Sequence, residues 1–152
     1  MLFLENMSSI LLGAHLVAVL LTLIALLAAS AYLVFASEKD WKTGVRAAFW
    51  GAWGYIVSFV IGLLIYPVFR VNVRAADFDK ARPWATGLFE VKEHIGAIAL
   101  FAAIAIIVLA GSTNEKTENN RKTLFTFLVG TVALVFIVKF ITGFILSGLN
   151  RM

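Results

Sequence analysis

The sequence predicts an all-α integral membrane protein, a four-helix bundle forming one domain over residues 1–152. Three observations predict it. Of the 152 residues, 61% are hydrophobic and only 14% charged, more apolar surface than a soluble domain of this size can hide. The apolar residues fall into four runs, at 10–36, 47–69, 89–110 and 124–149, each reaching the ~20 residues that carry a helix across a ~30 Å hydrocarbon core. Lipid offers no partner to a backbone N–H or C=O, so each run must satisfy its own backbone as a helix.

The first run is too long for the apolar core of a cleavable signal, and the tail before it, MLFLENMSS, carries Glu5 but no Lys or Arg. The second places Gly51, Tyr55, Ser58, Gly62 and Tyr66 at spacings of three or four. They form one helix stripe, suited to close packing or to a slot for a flat ligand. The third has a charged mouth, GLFEVKEHIGAIAL, with Glu90, Lys92, Glu93 and His94 on its threshold. The fourth carries Lys139 inside LVFIVKFITGF. Ten residues before Leu149, at ~1.5 Å per residue, that lysine lies ~15 Å below the boundary, near the midplane. An ammonium there is costly unless paired, hydrated or deprotonated, or unless its stem reaches out towards the headgroups.

Four crossings put both termini on one side, called side A here, together with a loop at 71–88. Side B holds SEKDWKTGVR and GSTNEKTENNRKT. Basic residues divide evenly between the sides, but the first run has none before it and Lys39, Lys42 and Arg46 after it. That asymmetry places side B in the cytoplasm and the termini on the non-cytoplasmic side, as in a prokaryotic inner membrane. Trp41, Trp50 and Trp53 near side B, and Tyr66 and Trp84 near side A, are expected interfacial anchors. The net charge of +4 reflects connections that set topology and does not indicate a nucleic-acid partner. The chain has no cysteine, which excludes disulfide and thiol chemistry. It has no Walker loop, G-x-G-x-x-G, H-E-x-x-H or G-x-S-x-G, which argues against nucleotide-driven and protease functions.

The chain holds two histidines, His15 and His94, each five residues beyond the start of its run. The two helices point the same way, so both imidazoles lie ~7–8 Å inside side A. Two imidazoles at one depth in a bundle can ligate a haem iron from opposite faces. Arg70 and Arg74 continue the Tyr66 stripe if the helix survives Pro67, and would offer guanidiniums to haem propionates or to lipid phosphates. Glu90, one turn before His94, could accept its free ring N–H. Glu93, Tyr66 and Lys139 are candidates for a proton relay or a quinone contact. A zinc or copper ion on His15, His94 and Glu90 is the metal alternative.

On His15 and His94 the chain resembles the small membrane b-type cytochromes and the haem-carrying anchor subunits of respiratory dehydrogenases. The resemblance implies one bis-histidine haem b, in place of the two haems that four histidines would hold. It also implies electron exchange near side A with quinone or a partner redox protein. If the chain is an enzyme, the activity implied is that of a quinone-linked oxidoreductase subunit in a homo-oligomer or larger complex. Two other readings stand beside it: a non-redox subunit that uses its polar groups for assembly, and a proton or ion pathway through Glu90, Glu93, His94 and Lys139.

Overall fold

The computed structural model describes residues 5–35, 38–111 and 118–149. After a short turn at Glu5–Met7 come α1 (Ser8–Phe35) and α2 (Glu38–Phe69), a π-helical segment (Arg70–Phe78), the single turn α3 (Asp79–Ala81), then α4 (Pro83–Gly111) and α5 (Glu118–Leu149). The helices α1, α2, α4 and α5 are each long and apolar enough to cross a membrane. With 28 to 32 residues at ~1.5 Å each they exceed the ~30 Å core, so their ends rise into the headgroup layer. Lys116 and Arg151 lie outside the described residues.

The all-α four-helix architecture is as the runs predicted; the 71–88 connection is not a loop. Pro67 sits inside α2 without ending it. A proline removes one backbone donor and crowds the preceding turn, and three residues later the helix widens into the π form, the usual relief for a disturbed ladder. The break comes at Arg82, with φ −141° and ψ 62°. That residue precedes Pro83, and a residue before proline is driven out of the α region. Pro83 then opens α4, where its missing N–H costs nothing. Residues 70–82 carry Arg70, Arg74, Asp77, Asp79, Lys80 and Arg82, a density that belongs to the interface and not to the hydrocarbon.

Within the bundle α1 neighbours α2 and α5, and α4 neighbours α2 and α5, so α1 and α4 are diagonal. Helices α1 and α2 approach most closely where glycines leave room. A methyl on Gly54 would strike the Thr22 hydroxyl, and one on Gly51 would come within 2.9 Å of Leu26 Cδ2, the small-residue contact by which helices associate in lipid. The side-B half is a dry core of Leu26, Ala29, Ala52, Ala103, Ile106, Val129 and their neighbours. At side A, Phe78, Ala85, Phe89 and Leu146 form a second cluster backed by Tyr66 and Phe69. Phe89 stacks on Phe69 at 4.5 Å and on Tyr66 at 6.0 Å between centroids.

Arg82 fastens this end. Its Nη1 donates to the Leu149 carbonyl at 2.5 Å and pairs with Asp77 at 3.3 Å, giving one otherwise orphaned carbonyl of the α5 terminus a charged donor. Replacing Arg82 with Gln should cost about 1 kcal/mol, discounted for partial exposure. Amide exchange in the last turn of α5 should quicken, while Lys80→Gln leaves it unchanged; equal exchange in both variants would show that the contact does not hold the terminus.

Candidate functional site

Helical angle decides where each candidate side chain goes. The interior face of α1 runs through Thr22, Leu26, Ala29 and Leu33. His15 is seven residues before Thr22, within about 20° of the same face. Its ring lies against Gly62 of α2, 3.5 Å from where a Cβ would stand, near the Ser58 main chain. Its Nδ1 is buried and has no hydrogen-bond partner. The interior face of α4 runs through Phe89, Gly96, Ala99 and Ala103. His94 is two residues from Gly96, about 200° round the helix, and is exposed. Its Nδ1 donates to the Glu90 carbonyl of its own helix at 2.7 Å.

The two imidazoles therefore do not share an interior face. One points into the bundle and the other away from it, on diagonal helices. This arrangement does not present the opposed pair that a six-coordinate haem takes from a single chain. Among the described residues no group of three or more His, Asp or Glu could hold a metal ion, so the zinc or copper alternative has no assembled ligand set.

The side-A charges are largely engaged with one another. Arg74 Nη2 donates to Glu90 Oε1 at 2.7 Å, and its Nε to Asp79 Oδ1 at 3.4 Å. The Thr86 hydroxyl donates to the same Asp79 oxygen at 2.7 Å. Glu90 thus meets His94 through its main chain, while its carboxylate ties α4 to the π segment. Arg70 is exposed. Tyr66 belongs to the aromatic cluster, stacked on Phe89. The Thr86 hydroxyl first, then the Arg74 guanidinium, holds the Asp79 carboxyl below its ordinary range. A depressed carboxylate contributes stability above its unfolded value, and that stability is lost as pH falls through the folded value.

Beneath the aromatic cluster lies the feature that sequence reading placed only by depth. Lys139, midway between Phe136 and Thr142 on the buried face of α5, turns inward. Its stem lies along Gly96 of α4, where a Cβ would overlap Nζ and approach Cε to 3.0 Å. Its Nζ stands 5.4 Å from the Phe59 ring centroid and 5.8 Å from that of Tyr55, a favourable pairing of cation and ring face in a desolvated setting. The Tyr55 hydroxyl donates to the Gly96 carbonyl at 2.8 Å, linking α2 to α4 at the level of the amine. Among the described residues no carboxylate forms an ion pair with Lys139. The nearest acid electrostatically is Glu93, whose Oε1 is 3.5 Å from Lys92 Nζ; Lys92 in turn lies over Phe89 at 4.8 Å.

Glu93, Lys139 and His15 thus lie near enough to feel one another's charge and form a loose polar column in the side-A half of the bundle, partly exposed at Glu93. Below it the core is apolar except for the buried Thr22, whose hydroxyl has no hydrogen-bond partner among the described residues. Phe59 was not singled out from sequence, and Tyr55, Lys92 and Gly96 were read only as part of the α2 stripe, the charged mouth and the small residues beside His94, not as neighbours of Lys139. The usable signal was angular: Gly96 follows Glu93 by three and precedes the buried Ala99 by three, so a glycine marks that face where a larger residue is expected.

Such a column can hold or pass a proton on one side of the membrane. It offers an amine, an imidazole and a carboxylate in a setting where burial and mutual charge govern protonation. No family model, no curated protein and no solved structure matches the chain.

Gly96→Ala should therefore damage the fold through one neighbour. Overpacking of this kind costs about 1–3 kcal/mol. In a Lys139→Ala background the cost should fall to a few tenths of that, because the atoms struck are gone. Additive losses in the double variant would show that the notch does not seat the lysine.

Proposed function

We propose that the protein is a one-sided proton-exchange subunit of a membrane assembly. Protons enter and leave from side A and are held at Lys139, with Glu93 above it and His15 across the bundle. One observation carries this reading: an inward-turned amine near midplane, without an ion-pair partner, at the foot of a polar column whose far side is dry. A structural lysine would be expected to reach out to the headgroups or to meet a carboxylate; this one lies against Gly96 and the rings of Tyr55 and Phe59 and forms no ion pair among the described residues. The apolar side-B half means that the chain alone is not a conduit. A transmembrane path needs a further subunit, or the proton returns the way it came.

In oriented proteoliposomes containing 15N-lysine protein, a pH step on side A should change the Lys139 Nζ resonance, and the same step on side B should not. The reading falls if neither step moves it. Pyranine-loaded vesicles should show no net proton flux through the isolated chain; flux that Lys139→Met abolishes would contradict the one-sided assignment.

A second reading, membrane electron transfer through haem b with quinone or a redox partner, is favoured by a single observation: His15 Nδ1 is buried and unpartnered, as a nitrogen awaiting an iron would be. His94 does not supply the opposing ligand in this arrangement, so the second axial group would come from another chain. Dithionite reduction should then give low-spin haem b bands that His15→Ala removes and His94→Ala leaves. A colourless folded preparation with no bound haem ends this reading.

A further inference from the structure

The charges of the side-A cap do not all close on one another. Each acid between residues 70 and 94 is engaged: Asp77 by Arg82 at 3.3 Å, Asp79 and Glu90 by Arg74 at 3.4 and 2.7 Å, and Glu93 by Lys92 at 3.5 Å. Arg74, Arg82 and Lys92 are thereby used, and Arg70 and Lys80 are left over. Both are exposed. Neither forms an ion pair among the described residues, and Arg70 reaches Asp79 only through its field.

These two cations stand at particular places. Arg70 directly follows Phe69, the last residue of α2, and Lys80 lies three residues before Pro83, the first of α4. The cap thus rests on two feet, each where a spanning helix meets the hydrocarbon, and each foot carries an unpaired cation. A large apolar side chain accompanies each one: Val71, 49% exposed, next to Arg70, and Trp84, 56% exposed, four residues after Lys80. At the boundary such side chains meet the glycerol and upper acyl region of the lipid, where tryptophan concentrates. An acidic partner arriving through water would match the cations and leave Val71 and Trp84 uncovered. A phospholipid matches both.

We infer that the side-A cap binds anionic phospholipid at these two feet. Arg70 and Lys80 each take the phosphate of a headgroup that carries no cation of its own, and Val71 and Trp84 lie against its glycerol and acyl region. A zwitterionic headgroup brings its own ammonium and so has less to offer an unpaired cation. A basic residue at an anionic surface favours it by about fivefold. The two feet lie outside the Lys139 column, so this inference stands or falls apart from proton exchange. Lipids held at both feet keep the cap down on the membrane, over the aromatic cluster of Phe78 and Phe89.

Trp84 itself reports one foot. In a chain with Trp41, Trp50 and Trp53 replaced by Phe, brominated phosphatidylglycerol should quench Trp84 about fivefold more effectively than the same fraction of brominated phosphatidylcholine. Lys80→Gln should bring the ratio to about one. Val71→Trp in a chain whose four tryptophans are replaced by Phe reports the other foot, where Arg70→Gln should act likewise. Both preferences should shrink in molar salt. Equal quenching by the two lipids overturns the inference and leaves the cations to an acidic partner from the aqueous phase. A preference abolished by millimolar glycerol phosphate marks a site for soluble phosphate and equally overturns it. Should the tryptophan variants fail to fold, the wild-type chain decides: amide exchange across residues 70–84 should be severalfold slower in phosphatidylglycerol nanodiscs than in phosphatidylcholine, and equal exchange overturns the lipid site.

Discussion

Water's absence from the bilayer core is the constraint from which the rest of this structure follows. It forces every backbone group to be paired within its own segment, which is why four helices account for the spans. It also sorts side chains by a rule opposite to that of a soluble protein. The apolar residues of α1, α4 and α5 face outwards in large number, as Leu21, Ile98 and Phe144 do, while Lys139, Ser58 and Thr142 turn in. The interior is held together by close approach and by shape, with Thr22 against Gly54 and Lys139 against Gly96, because lipid tails give no hydrophobic incentive for helices to leave them.

The two ends of the bundle answer this constraint differently. At side B the helices close over a continuous apolar core. At side A two prolines shape a cap. Pro67 disturbs the ladder without breaking it, the chain widens and carries its charges out of the hydrocarbon, and Pro83 restarts the helix in register for α4. The result brings Arg74 onto Glu90 and Arg82 onto the last turn of α5, so α2, α4 and α5 are fastened to one another by charged hydrogen bonds just outside the membrane. Phe78, Phe89 and Leu146 fill the space beneath. The polar column lies below that seal, which ties Lys139 to side A through its contacts although it stands near the midplane.

Sequence reading recovered what depends on counting along the chain and missed what depends on turning around the helix. Run lengths were enough for the four spans. They were not enough for direction: His94 and Gly96 are neighbours in sequence but lie about 200° apart, and that angle, invisible in a depth comparison, separates the two imidazoles. The pairing of Arg74 with Glu90 was illegible for another reason. Taking residues 71–88 as a loop left the guanidinium free to meet a ligand, whereas a continuing π-helix aims it at α4. Proline's effect on a helix depends on whether neighbouring segments can re-satisfy the freed carbonyl, and nothing local in the sequence records that. Lys139 is the intermediate case. Its cost at midplane was plain from the sequence, but the glycine that accommodates it lies on another helix.

That last pairing bears on how the column can work. A lysine stem seated in a notch has little freedom to swing, since Gly96 on one side and the rings of Tyr55 and Phe59 on the other define its place. The amine is thus held at one depth while its charge state changes. Held groups respond to a change of charge through their surroundings and not by moving away. In this protein the surroundings that can respond are a carboxylate already engaged with Lys92 and an imidazole with a free nitrogen. A side chain able to leave for the headgroup layer would relieve an added proton by snorkelling. One that is confined must be compensated where it stands, and the confinement by Gly96 is what turns an awkward residue into a site.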